Sequence, residues 1–261
     1  MKYGFIGCGN MGGAIASALS RVCTDIMVTD RSGKAKSLAE RCGIRYGSTE
    51  AVAAECGRIF LAVKPHLIDE ALAPVLEILR ERKPLLITMA AGVEIRALEQ
   101  KLGARLPIIR IMPNTPVAVG KGLTQYCCSD LVDADTLQDF LDDMACTGIM
   151  DPLEERLIDA ACALSGCGPA YMYMFIEALA DGAVACGLPR DKAVRYAAAT
   201  MAGSAEMVLA TGTHPGALKD AVCSPGGSTI QGVRALESRG LRSAAFEAVS
   251  AAYEKSTKLG K

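Results

Sequence analysis

The 261-residue sequence has almost no net charge: 28 Lys and Arg stand against 29 Asp and Glu, and no basic run or Arg-rich arm disturbs the balance. This leaves no electrostatic footprint for nucleic acid or an anionic membrane. Long apolar runs are also scarce. The longest, "AACALSGCGPAYMYMFI" at 160–176, is interrupted by Ser165, Gly166, Gly168 and Pro169 and closed by Glu177, which makes a poor membrane span. The opening "MKYGFIGCGNMGG" enters a strand at once and lacks signal-peptide architecture. There are only two histidines, His66 and His214, and the eleven cysteines are scattered with no C-x-x-C pair. No zinc-type cluster can be assembled from such spacing, so no metal is expected. Most of the cysteines sit among Ala, Val and Leu, where a free thiol behaves as a small hydrophobe. A reducing, cytoplasmic setting accounts for them, and nothing local in the sequence supports a redox role.

What the chain does have is two halves of different character. In the first, continuous apolar runs at 3–7, 26–30, 58–63, 84–89 and 106–112 read as strands buried on both faces. Helical stretches such as 33–42 and 93–102 lie between them, which implies a parallel sheet covered on both sides. Two shorter strands are expected at 122–127 and 148–151, separated by a helix over 133–145. After Pro152 no strand is expected. Helices opened by Pro169 and Pro189 run to about 186 and 210; a short one covers 216–223, and two more cover 229–239 and 241–258. The expected organisation is a Rossmann-type dinucleotide-binding domain over 1–152 and an all-α domain over 153–261. The Ala- and Gly-rich helices of the latter would bury their apolar faces against a second copy, giving at least a dimer.

"GFIGCGNMGGA" carries the spacing Gly7-x-Gly9-x-x-Gly12 between a strand and a helix. Gly7 allows the tight turn, Gly9 lets backbone approach a pyrophosphate, and Gly12 permits close helix–strand packing. A glycine turn without a ligand is the alternative. The order strand, glycine loop, helix and second strand ending in Asp30 favours a nicotinamide or flavin dinucleotide held on the loop Gly7, Cys8, Gly9, Asn10, Met11 and Gly12. Asp30 is placed to accept a hydrogen bond from the ribose 2′-OH of NAD. Arg31, Ser32 and Lys34 follow at once and either hold the 2′-phosphate of NADP or form a solvated loop. These signals conflict, and dual use is the reading adopted.

Further on, "AVKPH" (62–66) and "RIMPNTP" (110–116) each end a strand, where ligands of open α/β sheets bind. "SGCGPAY" (165–171) and "SPGGST" (224–229) follow in the helical half. "SPGGST" runs straight into an amphipathic helix: Gly226 and Gly227 expose backbone N–H groups, while Ser224, Ser228 and Thr229 add hydroxyls. Such a loop suits an anion, although a Pro-Gly turn with a capping Ser or Thr would look similar. No Lys follows the glycines as in a P-loop, so a nucleotide phosphate is the poorer fit. His66 and His214, each beginning or preceding a helix, read as structural.

Taken together and in this order, these motifs resemble Δ1-pyrroline-5-carboxylate reductase over essentially the whole chain, "SPGGST" being the most specific part and the glycine fingerprint the least. Three positions depart from the family's pattern: Cys167 stands where a Ser is usual, Asp30 where bacterial members often have Asn, and Ser228 where Thr or Ala is common. The resemblance implies reduction of a cyclic imino acid to proline by hydride transfer from NADPH, with NADH also admitted. It also implies a helical domain that interleaves with a partner subunit, in dimers often assembled into decamers. The cofactor would be lined by Ala62, Val63, Lys64 and Pro65 and by Asn114. The substrate carboxylate would be anchored by Ser224, Gly226, Gly227, Ser228 and Thr229, and Thr229 would hydrogen-bond the reacting nitrogen. The loop would come from the same or the neighbouring subunit. Two rivals remain at this stage: another imine or β-hydroxyacid reductase, whose catalytic Lys would have to be Lys192 or Lys219, and a non-catalytic NADPH sensor.

Overall fold

Short runs of mostly apolar residues form the strands of the first half, and with one exception each is followed by a helix. In chain order these are β1 (Tyr3–Ile6), α1 (Asn10–Leu19), β2 (Ile26–Thr29), α2 (Lys34–Cys42), β3 (Arg45–Tyr46), α3 (Thr49–Glu55), β4 (Arg58–Leu61), α4 (Ile68–Leu72), α5 (Leu76–Arg82), β5 (Leu85–Thr88), α6 (Ile95–Leu102), β6 (Ile108–Pro113), β7 (Gly122–Cys128), α7 (Ala134–Met144) and β8 (Gly148–Pro152). The computed structural model describes residues 1–258. One sheet results, in the order β3-β2-β1-β4-β5-β6-β7-β8. Its first six strands have the order of the doubly wound dinucleotide-binding fold.

The sheet differs from an all-parallel expectation at one place, where β7 runs antiparallel to β6. The 114–121 connection holds only a 3-10 turn, too short for the crossover that parallel neighbours need. β8 then follows β7 in parallel, across α7. The short edge strand β3 also lies outside the sequence-predicted runs; its two residues are exposed and carry no apolar signal.

Successive strand residues point to opposite faces, and each face has its own core. Tyr3, Phe5, Val28, Phe60 and Ile87 pack under α1, α2 and α7. Ile6, Met27, Ile59, Leu61 and Leu86 pack under α3 to α6. Phe5 and Phe60 stack at 4.3 Å, and burial of such a ring contributes about 2–3 kcal/mol.

The rest is helical: α8 (Ile158–Ala161), a π-helical turn over Cys162–Gly166, α9 (Gly168–Ala185), α10 (Arg190–Thr211), α11 (Pro215–Ala221), α12 (Ser228–Ser238) and α13 (Leu241–Ser256). The chain forms two compact units, Met1–Cys167 with the chain from Ala252 onward, and Gly168–Ala251. The division therefore falls later than the expected 152/153 boundary. The reason is a buried cation. Arg110 of β6, 1% exposed, donates to Glu155 (3.1 Å) and Asp159 (3.5 Å) and so fastens the turns after β8 to the sheet. The last three residues of the expected second domain lie outside the described residues.

In the Gly168–Ala251 unit α9 and α10 pack on each other, yet α9 buries only Ala180 and α10 only Ala193. Met174 (70%), Leu209 (68%) and Phe246 (72%) are exposed.

Candidate active site

At the carboxyl ends of β1, β2, β4 and β6 the first unit holds a cleft of about 1110 Å³. It sits where the strand order reverses between β1 and β4, the position at which open α/β sheets bind ligands. Gly7, Cys8, Gly9, Asn10, Met11, Gly12, Asp30, Arg31, Ser32, Ala62, Val63, Lys64 and Pro65 all line it, as do Met89, Met112, Cys162 and Cys167 from outside the predicted set.

The glycine loop has the geometry its spacing implies. Gly7 takes φ +103°, and a Cβ there would lie 2.6 Å from the Ala62 carbonyl oxygen. A Cβ on Gly12 would lie 2.5 Å from the Gly7 carbonyl oxygen, so α1 comes this close to β1 only through glycine. A Cβ on Gly9 would meet no protein atom within 4 Å; the space it would enter belongs to the cleft. Gly9 is also the N-cap of α1, and no side chain caps that helix. Its first N–H groups are left to an anion, which the helix dipole also favours. Between the glycines, burial pushes the Cys8 thiol up to about 12, with Asp30 adding to the effect. Cys8 is thus a neutral filler of the loop.

A dinucleotide fits these residues. Asp30 Oδ1 is buried without a hydrogen-bond partner among the described residues, an expensive state for a carboxylate oxygen unless a ligand donor completes it. A ribose hydroxyl is such a donor. The other oxygen, Oδ2, accepts from Ser32 Oγ at 2.6 Å. The Arg31 guanidinium pairs with Glu70, which also lines the cleft. Both groups are largely exposed, so this pair is weak and its Arg is available to a phosphate.

Asn114 is placed differently from the expectation. It is not part of the cleft lining, because its amide is committed elsewhere: Nδ2 donates to the Ser165 carbonyl (3.1 Å), and Oδ1 accepts from Leu123 N (2.9 Å). It ties the π turn to the start of β7. Arg110 and the π turn carried no sequence signal that singled them out; a lone Arg within "LPIIRIM" was the available hint.

The second loop lies in the other unit. Gly226 has φ +69°, Gly227 N donates to the Ser224 carbonyl at 3.0 Å, and Gly227 becomes the N-cap of α12. No side chain caps α12 and its first turn has no acidic residue. The arrangement of a capping Ser or Thr therefore does not apply. The N–H groups of Ser228 and Thr229 start the helix beside exposed hydroxyls. His214 caps α11, accepting from Gly216 N at 3.1 Å. The Lys219 ammonium is held protonated by Asp220, whose hydrogen bond raises its pKa, the opposite of what a catalytic lysine base needs. Among the described residues no cluster of three or more His, Cys, Asp or Glu is placed to hold a metal.

Fold and cleft define a dinucleotide-dependent oxidoreductase of the Rossmann class with a helical second unit. The family described as "Pyrroline-5-carboxylate reductase dimerisation" matches residues 155–259, and "NADP oxidoreductase coenzyme F420-dependent" matches residues 2–92. The pyrroline-5-carboxylate reductase of Escherichia coli K12 is 43% identical, the match covering 100% of this chain and 98% of the relative. Two solved structures are similar over nearly all of both chains. The Plasmodium falciparum pyrroline carboxylate reductase with NADP bound has a TM-score of 0.88 at 33% identity, covering 100% and 98%. The 1-pyrroline-5-carboxylate reductase of Streptococcus pyogenes has 0.89 at 31%, covering 99% of each. The chain belongs to the pyrroline-5-carboxylate reductase family.

Proposed function

We propose that this chain reduces 1-pyrroline-5-carboxylate to L-proline with NADPH, the last step of proline biosynthesis, as a cytoplasmic homo-oligomer built from dimers and assembled further into decamers. The observation that carries the chemistry is the Gly226–Gly227 turn at the start of α12, where no side chain caps the helix and exposed hydroxyls stand beside its first N–H groups, set against the like glycine turn at the start of α1. A dinucleotide accounts for one such end; a carboxylate substrate accounts for the other.

When bound, the reduced nicotinamide supplies a hydride. The rest falls to the chain's own groups. The α1 N-terminus and Gly9 would receive the pyrophosphate, Asp30 the ribose, and Arg31 and Ser32 the 2′-phosphate. The N–H groups around Gly226 and Gly227, with the hydroxyls of Ser224 and Ser228, hold the substrate carboxylate. Thr229 Oγ1 hydrogen-bonds the ring nitrogen and fixes the imine carbon for attack; orienting a reactant in this way is a large part of catalysis where no strong acid is needed.

The test is loss of nicotinamide absorbance on adding pyrroline-5-carboxylate, with NADPH and NADH in parallel. Imine-dependent oxidation of NADPH is expected. Binding of both cofactors with consumption of neither would overturn the assignment.

A further inference from the structure

The eleven cysteines are scattered in sequence, but the fold brings two of them onto one wall of the cleft. Cys162 and Cys167 lie five residues apart, at either end of the π-helical turn 162–166. In an α-helix, residues five apart are separated by about 7.5 Å of rise and lie on different faces, beyond the reach of a disulfide. The π turn changes this. Cys167 N donates to the Cys162 carbonyl at 3.0 Å, a bond from residue i+5 to residue i that sets one residue above the other. The Cys162 sulfur lies against Gly166, the neighbour of Cys167: a Cβ on Gly166 would be 3.0 Å from it, so the glycine leaves room for the sulfur. Both thiols are free, and both line the cleft.

We propose that Cys162 and Cys167 form a reversible disulfide that switches the cleft off under oxidising conditions. A peroxide is the oxidant. One thiolate attacks it, the O–O bond breaks, hydroxide leaves, and the sulfur becomes a sulfenic acid. The second thiol attacks that sulfur; the S–S bond forms, the S–O bond breaks, and the oxygen departs as water with the thiol's proton. The sulfur pair loses two electrons and the peroxide gains them. A dithiol reductant reverses the change. Closing the bond draws in the turn that carries the Ser165 carbonyl bound by Asn114, and the Ser165 hydroxyl that donates to Gln125 at 3.1 Å. The cleft wall moves with it.

The test uses the purified full chain, hydrogen peroxide, and trapping of residual thiols with N-ethylmaleimide. The expected result is a peptide containing Cys162 and Cys167 that is lighter by two hydrogens and carries no maleimide. Saturating NADPH, by filling the cleft, slows this crosslink. Activity falls about tenfold or more, as displacement of an active-site wall commonly does, and dithiothreitol restores it. In Cys167→Ser the same peptide shows no loss of two hydrogens, and peroxide no longer lowers the activity that the variant has before treatment. Peptide mass is independent of the reaction catalysed, so the crosslink stands or falls separately from the proposed function. Maleimide on both Cys162 and Cys167 after oxidation of the other thiols would overturn the proposal, as would a crosslink from either one to another cysteine.

Discussion

At the scale of single residues the site depends on oxygens and N–H groups left without protein partners. Asp30 has one carboxylate oxygen bonded to Ser32 and one buried and unpartnered. A ribose hydroxyl would satisfy the second; a 2′-phosphate next to it would meet a like charge. Asp30→Ala is expected to shift the ratio of kcat/KM for NADPH over NADH upward by about tenfold, the worth of one charge-assisted hydrogen bond lost and one repulsion removed. Steady-state kinetics with both cofactors reads this, and an unchanged ratio removes Asp30 from cofactor choice. Thr229 is exposed at the start of α12, so Thr229→Ala should alter stability by no more than about 0.5 kcal/mol. Turnover should fall by about 10- to 100-fold if its hydroxyl positions the ring nitrogen. Wild-type turnover with an unchanged melting curve would end that role.

At the scale of elements the fold is held to its site by groups with little sequence signature. Strand runs, helix periods and glycine loops were readable because each repeats a physical requirement over several residues: burial on both faces, one apolar stripe, or backbone that must approach a ligand. Arg110 has no such repetition. It reads as a lone charge inside an apolar strand, and only the return of Glu155 and Asp159 in space shows why it is buried. Asn114 carries a similarly local signal. Its place after a strand end suggests a ligand contact, while its amide is engaged by Leu123 and by the more distant Ser165. The π turn too is invisible to a helical period. Arg110→Met should lower stability by about 1–3 kcal/mol, less than for a fully buried pair, because Glu155 and Asp159 keep roughly a third of their surface in water. Denaturant melts would show it as a lower midpoint at constant slope; an unaltered midpoint would mean that the 153–167 segment is held by packing alone.

At the scale of the molecule the two units differ in how they meet the need for a core. The sheet unit buries its apolar side chains on both faces by itself. The helical unit leaves Met174, Leu209 and Phe246 in water in the single chain, a pattern that monomers avoid and that matches the dimerisation family assigned to residues 155–259. This has a consequence for how the protein withstands dilution. A unit whose core is completed by a second copy draws its stability from mass action, so its melting temperature must depend on protein concentration. Each tenfold dilution removes about 1.4 kcal/mol from a dimer, or about 2–4 °C for a chain of this size. Calorimetry across a concentration series reads that slope, and a flat line would mean that the helices fold alone. With the slope, the amount of enzyme in the cell becomes one of the terms that keep it folded.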